Sequence, residues 1–202
     1  PAAPAAGPMP SFMVDMKGGF KVEKHILKKG DILFLYTDGI EESTRVCRDA
    51  QFNPLHVIEK DADGNEKLKT ENELLESDRV LQIIEAVMNK GSFTLSKDRN
   101  PNPTETLRFD FSSCTGSLEE VITALISVEK VFRMYKPEGV TEDNTIRVDK
   151  KIDVFLKNHF NLYGVYCASK NEAMEDANYV YYTNVIEDEQ LDDLTLVAVR
   201  LP

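Results

Sequence analysis

Residues 30–43 read GDILFLYTDGIEES: a Gly-Asp pair, the apolar run Ile32-Leu33-Phe34-Leu35-Tyr36, then Thr37-Asp38-Gly39. The run lacks polar alternation, which predicts a strand buried on both faces. Such a strand ends by presenting the Asp38 carboxylate beside a residue that has no side chain. Asp-Gly after a strand is also an ordinary turn signal. The stretch therefore needs a second feature elsewhere in the chain to become more than a turn.

That feature lies near the other end, where Asp192-Asp193 precedes the apolar run LTLVAVR at 194–200. Asp38 stands at the C-terminal end of one predicted strand, and Asp192 and Asp193 at the N-terminal end of another. Paired antiparallel, those ends share one edge, with the strands about 4.8 Å apart. Carboxylates that close either repel, which raises one pKa, or grip a divalent cation. Hard oxygen donors suit Mg²⁺ or Mn²⁺ and not zinc, and Gly39 leaves room for backbone or ligand to come near. The plain alternative is a turn and a solvated acidic loop.

Composition bounds the rest. The chain has 202 residues, 42% hydrophobic and 29% charged, as expected of a folded protein. A net charge of -11 with no basic patch disfavours nucleic acid as a partner. Cys47, Cys114 and Cys167 are odd in number, far apart and outside any CxxC pair, which predicts no disulfide framework, no thiolate zinc site and a reducing cytosol. No apolar run has the length of a membrane span, and the Ala/Pro-rich start has no signal-peptide pattern. That start is expected of a segment cut from a longer protein, although removal of an initiator Met before Pro1 would look the same.

Along the chain, Phe20, Val22 and Ile26 predict a strand that turns at Gly30-Asp31 into the apolar run. HVIEKDADGNEKLK at 56–69 predicts a second hairpin with Asp63-Gly64 at its turn. Asp61, Asp63 and Asn65 brush a calcium-loop pattern, but glycine is not at its sixth position and no glutamate is at its twelfth. Helices are predicted from Ser77 as N-cap to Gly91 as stop, from Ser117 with Glu120 in capping-box spacing to Tyr135, and from about Asp149 to Asn161. The Asn-Pro pairs near 100 predict a loop, and Thr104–Phe111 its return strand in a surface hairpin. YVYYTNVI at 179–186 and LTLVAVR at 194–200 read as the last two strands. His25, His56 and His159 are scattered, His159 as a helix-end residue. Lys130, Arg133 and the DRN at 98–100 are candidates to touch a phosphate or partner, with a solvated face the plainer reading; Glu41, Glu42 and EDEQ at 187–190 are candidates to assist a metal through water, with loop acidity the plainer reading.

Together, LKKGDILFLYTDGIEES at 27–43 and EDEQLDDLTLVAVRL at 187–201 resemble the PPM-type metal-dependent serine/threonine protein phosphatases, in the bacterial SpoIIE/RsbU-like branch; GPMPSF at 7–12 looks like that family's upstream glycine-proline stretch. The resemblance implies an α+β fold, an α/β/β/α sandwich of antiparallel sheets flanked by helices, with a dinuclear Mn²⁺ or Mg²⁺ centre at one sheet edge. It makes Asp38 and Asp192 metal ligands and Asp193 a ligand or a water-orienting group, with Gly39 shaping the turn. The chemistry implied is attack of a metal-activated water on phosphoserine or phosphothreonine, with no cysteine nucleophile.

The family's Gly-Asp-x-x-Gly-His-Gly motif, source of the metal-bridging aspartate, has no counterpart, because the chain contains no Gly-His pair. Either that half lies before Pro1 in the parent protein or the lineage has lost it. The expectation is that residues 1–202 form the C-terminal part of one phosphatase domain, inactive alone, with a helical and hairpin insertion within 45–178. The parent is expected to be a cytoplasmic signalling protein with a sensor or membrane region elsewhere, acting on a phosphorylated regulator such as an anti-sigma antagonist. The competing expectation is a non-catalytic, phosphatase-like interaction or regulatory module; an unrelated α+β binding domain comes third.

Overall fold

The computed structural model of the chain describes residues 24–95, 106–137 and 145–202. The fold is α+β. Its elements in order are β1 (Ile32–Tyr36), β2 (Thr44–Val46), β3 (His56–Lys60), β4 (Glu66–Thr70), β5 (Asn72–Leu74), α1 (Ser77–Met88), β6 (Ser92–Leu95), β7 (Leu107–Asp110), α2 (Leu118–Arg133), β8 (Met134–Tyr135), β9 (Thr145–Asp149), α3 (Lys150–His159), α4 (Tyr163–Tyr166), β10 (Ser169–Lys170), β11 (Tyr179–Thr183), β12 (Ile186–Glu187) and β13 (Leu196–Arg200).

The chain divides into two compact units, one comprising 1–33 with 200–202 and the other 34–199. In the described part of the first, Gly30 takes a left-handed φ of 87° and its amide donates to the Leu201 carbonyl at 3.0 Å. The Gly-Asp turn is therefore real, but residues 24–28 are not a strand, and the remainder of the strand expected from Phe20 lies outside the described residues. GPMPSF and the DRN at 98–100 lie outside them too.

The core of the second unit is built on the β6–β7 hairpin. Phe93 and Leu95 alternate inward on β6, and Leu107 and Phe109 on β7, in the pairs Phe93↔Phe109 and Leu95↔Leu107. This hairpin was expected at the surface; instead one face is fully buried, because α1, α2 and α3 bring Val80, Ile83, Val87, Val121, Leu125, Val128 and Leu156 to the same core. Phe109 stacks on Phe160 at 5.0 Å and on Phe111 at 6.2 Å between ring centres. Behind α3 lies the sheet β10-β11-β9, whose inward pairs are Val180↔Val148 and Tyr182↔Ile146. Asp153 on α3 accepts from the hydroxyls of Tyr163 and Tyr182 at 2.9 and 2.6 Å, tying the helix to β11.

The helix ends match the sequence signals to different degrees. On α2 the capping box is complete: Ser117 Oγ accepts from the Glu120 amide and the Glu120 carboxylate accepts from the Ser117 amide. Partial desolvation pushes the Glu120 carboxyl up, but hydrogen bonds from Thr115 and Ser117 outweigh it and hold the group at about 2. A folded pKa below the unfolded one gives stability that is present above about pH 4.5, the ordinary value, and is lost as pH falls toward about 2. Urea midpoints measured at pH 5, 4 and 3 should therefore fall more steeply for the natural chain than for Glu120→Gln, and equal slopes would refute the assignment.

The other helix ends depart from expectation. Ser77 is the first residue of α1 and not its cap; Glu76, with φ 65°, precedes it and makes no capping bond through its side chain. At the far end the left-handed residue is Lys90, φ 54°, and Gly91 follows it, donating its amide to the Ala86 carbonyl at 2.8 Å. Helix α2 stops at Arg133, since Met134 and Tyr135 turn extended to pair with β12.

β3 and β4 form the predicted Asp-Gly hairpin, with Gly64 left-handed at φ 83° and Asp61 Oδ1 accepting from the amides of Asp63 and Asn65. The Asp61 carboxylate is thus occupied by the turn itself. β1 pairs with β13 in a two-stranded sheet. It is not buried on both faces: Phe34 and Tyr36 pack against the core, whereas Leu35 is 55% exposed, as are Val197 and Val199 of β13 at nearly half. The apolar run reads as fully buried, but among the described residues this sheet has two strands and no element over its outer face.

Candidate functional site

Two loops meet at one end of the β1–β13 sheet. Thr37 donates its amide to the Thr195 carbonyl at 3.1 Å, its hydroxyl donates to the Asp193 carbonyl at 2.9 Å, and that hydroxyl oxygen accepts from the Thr195 amide at 3.1 Å. One threonine side chain thus closes a contact between residues 156 apart in the sequence. Gly39 completes it. A β-carbon there would lie 3.0 Å from the Asp193 carbonyl carbon and closer still to its oxygen, so only glycine allows this approach.

Each loop is anchored from beneath. Ile40, fully buried, follows Gly39, and the Glu42 amide donates to the Asp38 carbonyl at 2.8 Å. Leu194, packed against the core, follows Asp193. Asp192 Oδ1 accepts from the Asp193 amide at 2.8 Å, which stiffens the second loop. With apolar anchors pulling inward, the polar residues between them face water: Asp38, Asp192 and Asp193 are all exposed.

The four residues singled out from sequence, Asp38, Gly39, Asp192 and Asp193, therefore lie on two loops in direct backbone contact at one rim. Carboxylate oxygens are hard donors, the kind that Mg²⁺ and Mn²⁺ take. No group of three or more His, Cys, Asp or Glu side chains converges on one point among the described residues. Asp38, Asp192 and Asp193 share the rim, but their exposed side chains do not form such a group.

Neighbouring acids do other work. Glu41 accepts from the Tyr36 hydroxyl at 3.5 Å, and burial followed by this carboxylate pushes the phenol's pKa up. Glu187 and Asp188, expected as loop acidity, are ion-paired with Lys130, Arg133 and Arg48. Arg133, expected on a solvated face, is 5% exposed, and Lys130 is largely covered. The sequence held a signal for this: Glu129 and Arg133 continue, at i+4 steps, the row that starts with the buried Val121 and Leu125. His159 ends α3 as expected, but its Nδ1 donates to the Asp110 carbonyl at 2.7 Å and its Nε2 faces Cys114 Sγ at 3.9 Å, so side-chain contacts fix it.

Comparison with protein-family profiles, with curated proteins and with solved structures finds no match to this chain. No helix among the described residues is long and apolar enough to cross a membrane.

Proposed function

We propose that this chain supplies the Asp38 and Asp192-Asp193 half of a PPM-type, SpoIIE-like metal-dependent serine/threonine phosphatase centre, in a domain of α/β/β/α sandwich architecture. The observation that supports this reading is the seating of Thr37-Asp38-Gly39 on Asp192-Asp193, which brings two distant acidic motifs to one rim. Asp38 and Asp192 would hold Mn²⁺ or Mg²⁺, with Asp193 as a further ligand or as the group that orients a water. When bound, such ions lower the pKa of water and neutralise phosphoryl oxygens, which is what hydrolysis of phosphoserine or phosphothreonine requires. The chain's own contribution is positional: Gly39 permits the approach, Thr37 locks it, and Ile40 and Leu194 hold the loops down. The substrate would be a phosphorylated regulatory protein in the cytoplasm.

A second reading, a phosphatase-like regulatory module without hydrolytic activity, is favoured by the lack of a convergent three-ligand group among the described residues. Titration with Mn²⁺ while following thermal unfolding tests the site itself. At a metal concentration of 100 times Kd the folded state should gain about 2.7 kcal/mol. Asp38→Asn and Asp192→Asn should each lose that gain while unfolding normally without metal. An equal response in all three proteins, or none in the natural chain, refutes the metal site. If the metal binds, hydrolysis of a phosphoserine peptide in its presence separates the enzyme from the silent module.

A further inference from the structure

The charged stripe of α2 touches the segment that follows one acidic loop, at Ser43, and the segment that precedes the other, at Asp188. Glu129 and Arg133 are 2% and 5% exposed, the most deeply buried charges among the described residues. Removing two charges from water is costly unless both are fully satisfied, and hydrophobic residues of similar volume would commonly serve stability as well or better. A buried pair in an otherwise apolar helix face therefore calls for an explanation beyond stability.

Its contacts supply one. On one side Glu129 Oε1 accepts from Ser43 Oγ at 2.8 Å, and Ser43 lies in the segment that continues from Asp38 through the buried Ile40. On the other side Arg133 donates from Nη1 to the Asp188 carbonyl at 2.7 Å, pairs through Nη2 with Glu187 at 2.6 Å, and reaches Gln190 at 3.4 Å. Those residues lead directly into Asp192. Arg133 Nε joins the halves by donating to Glu129. A second tie runs parallel, since Asp188 Oδ2 accepts from the Val46 amide at 2.8 Å and its other oxygen pairs with Arg48.

We infer that the Glu129–Arg133 pair is a positioning device for the proposed metal site: it fixes the segment behind Asp38 and the segment ahead of Asp192 to one rigid helix, which backs the two loops that Thr37 and Gly39 press together. This role rests on the phosphatase reading for its purpose but not for its mechanics. The fork geometry of arginine is essential to it, because one guanidinium serves Glu129, Glu187 and the Asp188 carbonyl at once, which a lysine ammonium on a flexible stem cannot do.

Arg133→Lys in the full chain tests it, since the charge is kept and only the fork is lost. Two readouts are needed: Mn²⁺ affinity, from the electron paramagnetic resonance signal of free Mn²⁺, and amide hydrogen exchange. The expected result is Mn²⁺ binding weakened tenfold or more, with exchange at the amides of Val46, Asp188 and Thr195 accelerated at least tenfold while the β9–β11 ladder keeps its natural rates. Unchanged exchange at those three amides, or an equal acceleration everywhere, overturns the inference, the latter because it marks a role in stability alone. Should Arg133→Lys fail to fold, Ser43→Ala cuts one tie from outside the helix; it should weaken Mn²⁺ binding and loosen the Val46 amide, and a natural response in both overturns the inference. If the natural chain binds no Mn²⁺, the phosphatase reading falls and the exchange data alone decide whether Arg133 positions these loops.

Discussion

Gly39→Ala should destabilise the protein by about 2–3 kcal/mol, the upper part of the range for inserting a methyl group into filled space. The added carbon meets the Asp193 carbonyl, which is backbone and cannot swing aside as the end of a flexible side chain could. The strain must be relieved by separating the two loops, which stretches the Thr37 hydroxyl bond to Asp193 and the Thr195 amide bond to Thr37. Urea unfolding gives the stability change, and thermal unfolding with and without Mn²⁺ gives the site. Both the loss of stability and the loss of the metal response are expected. A variant with natural stability and a natural Mn²⁺ response would show that the loops are not pressed together as described.

Phe109→Ala should cost about 3–5 kcal/mol, the range for truncating a buried aromatic. Phe109 is fully buried, pairs with Phe93 across the hairpin and stacks between Phe160 and Phe111, so the cavity would open among elements that cannot all close on it. For a chain of this length that corresponds to a fall in Tm of roughly 10 °C. Ile58→Ala on the β3–β4 hairpin is the control: Ile58 is 66% exposed, and surface changes of this kind stay within about 0.5 kcal/mol. Calorimetry of the two variants side by side checks the contrast, and similar losses would mean that the core is not centred on β6–β7.

The features legible in the sequence are those carried by short-range chemistry. The capping box at Ser117 and Glu120 and the Asp-Gly hairpin at residues 63–64 depend on residues within a few positions of one another and appear as read; the Gly30 turn is present too, though residues 24–28 before it are not a strand. The rim at Asp38 and Asp192-Asp193 was legible through two motifs whose meaning is positional, a strand end and a strand start. What was not legible depends on tertiary partners. Whether Leu35 is buried is decided by what covers the outer face of β1, and nothing in ILFLY encodes that. The run MY at 134–135 continues a helical pattern and turns extended because Ile186 and Glu187 are there to pair with it. The strand TIRVD at 145–149 is short, and its register against β11 makes it a strand. Arg133 reads as solvated because long charged side chains usually are, and only a fixed set of acceptors, Glu129 on its own helix and residues 187–190, makes its burial tolerable.

Burial of the cysteines has a practical corollary. Cys47 and Cys114 are shut away in the folded unit, and Cys167 is pushed up to about 12 by burial and then by the Asp153 carboxylate. Alkylating reagents attack the thiolate, so at neutral pH the native molecule should be almost inert toward them. Maleimide uptake then becomes a clock for spontaneous opening, and the order in which the three positions are tagged reports which region of the molecule loosens first.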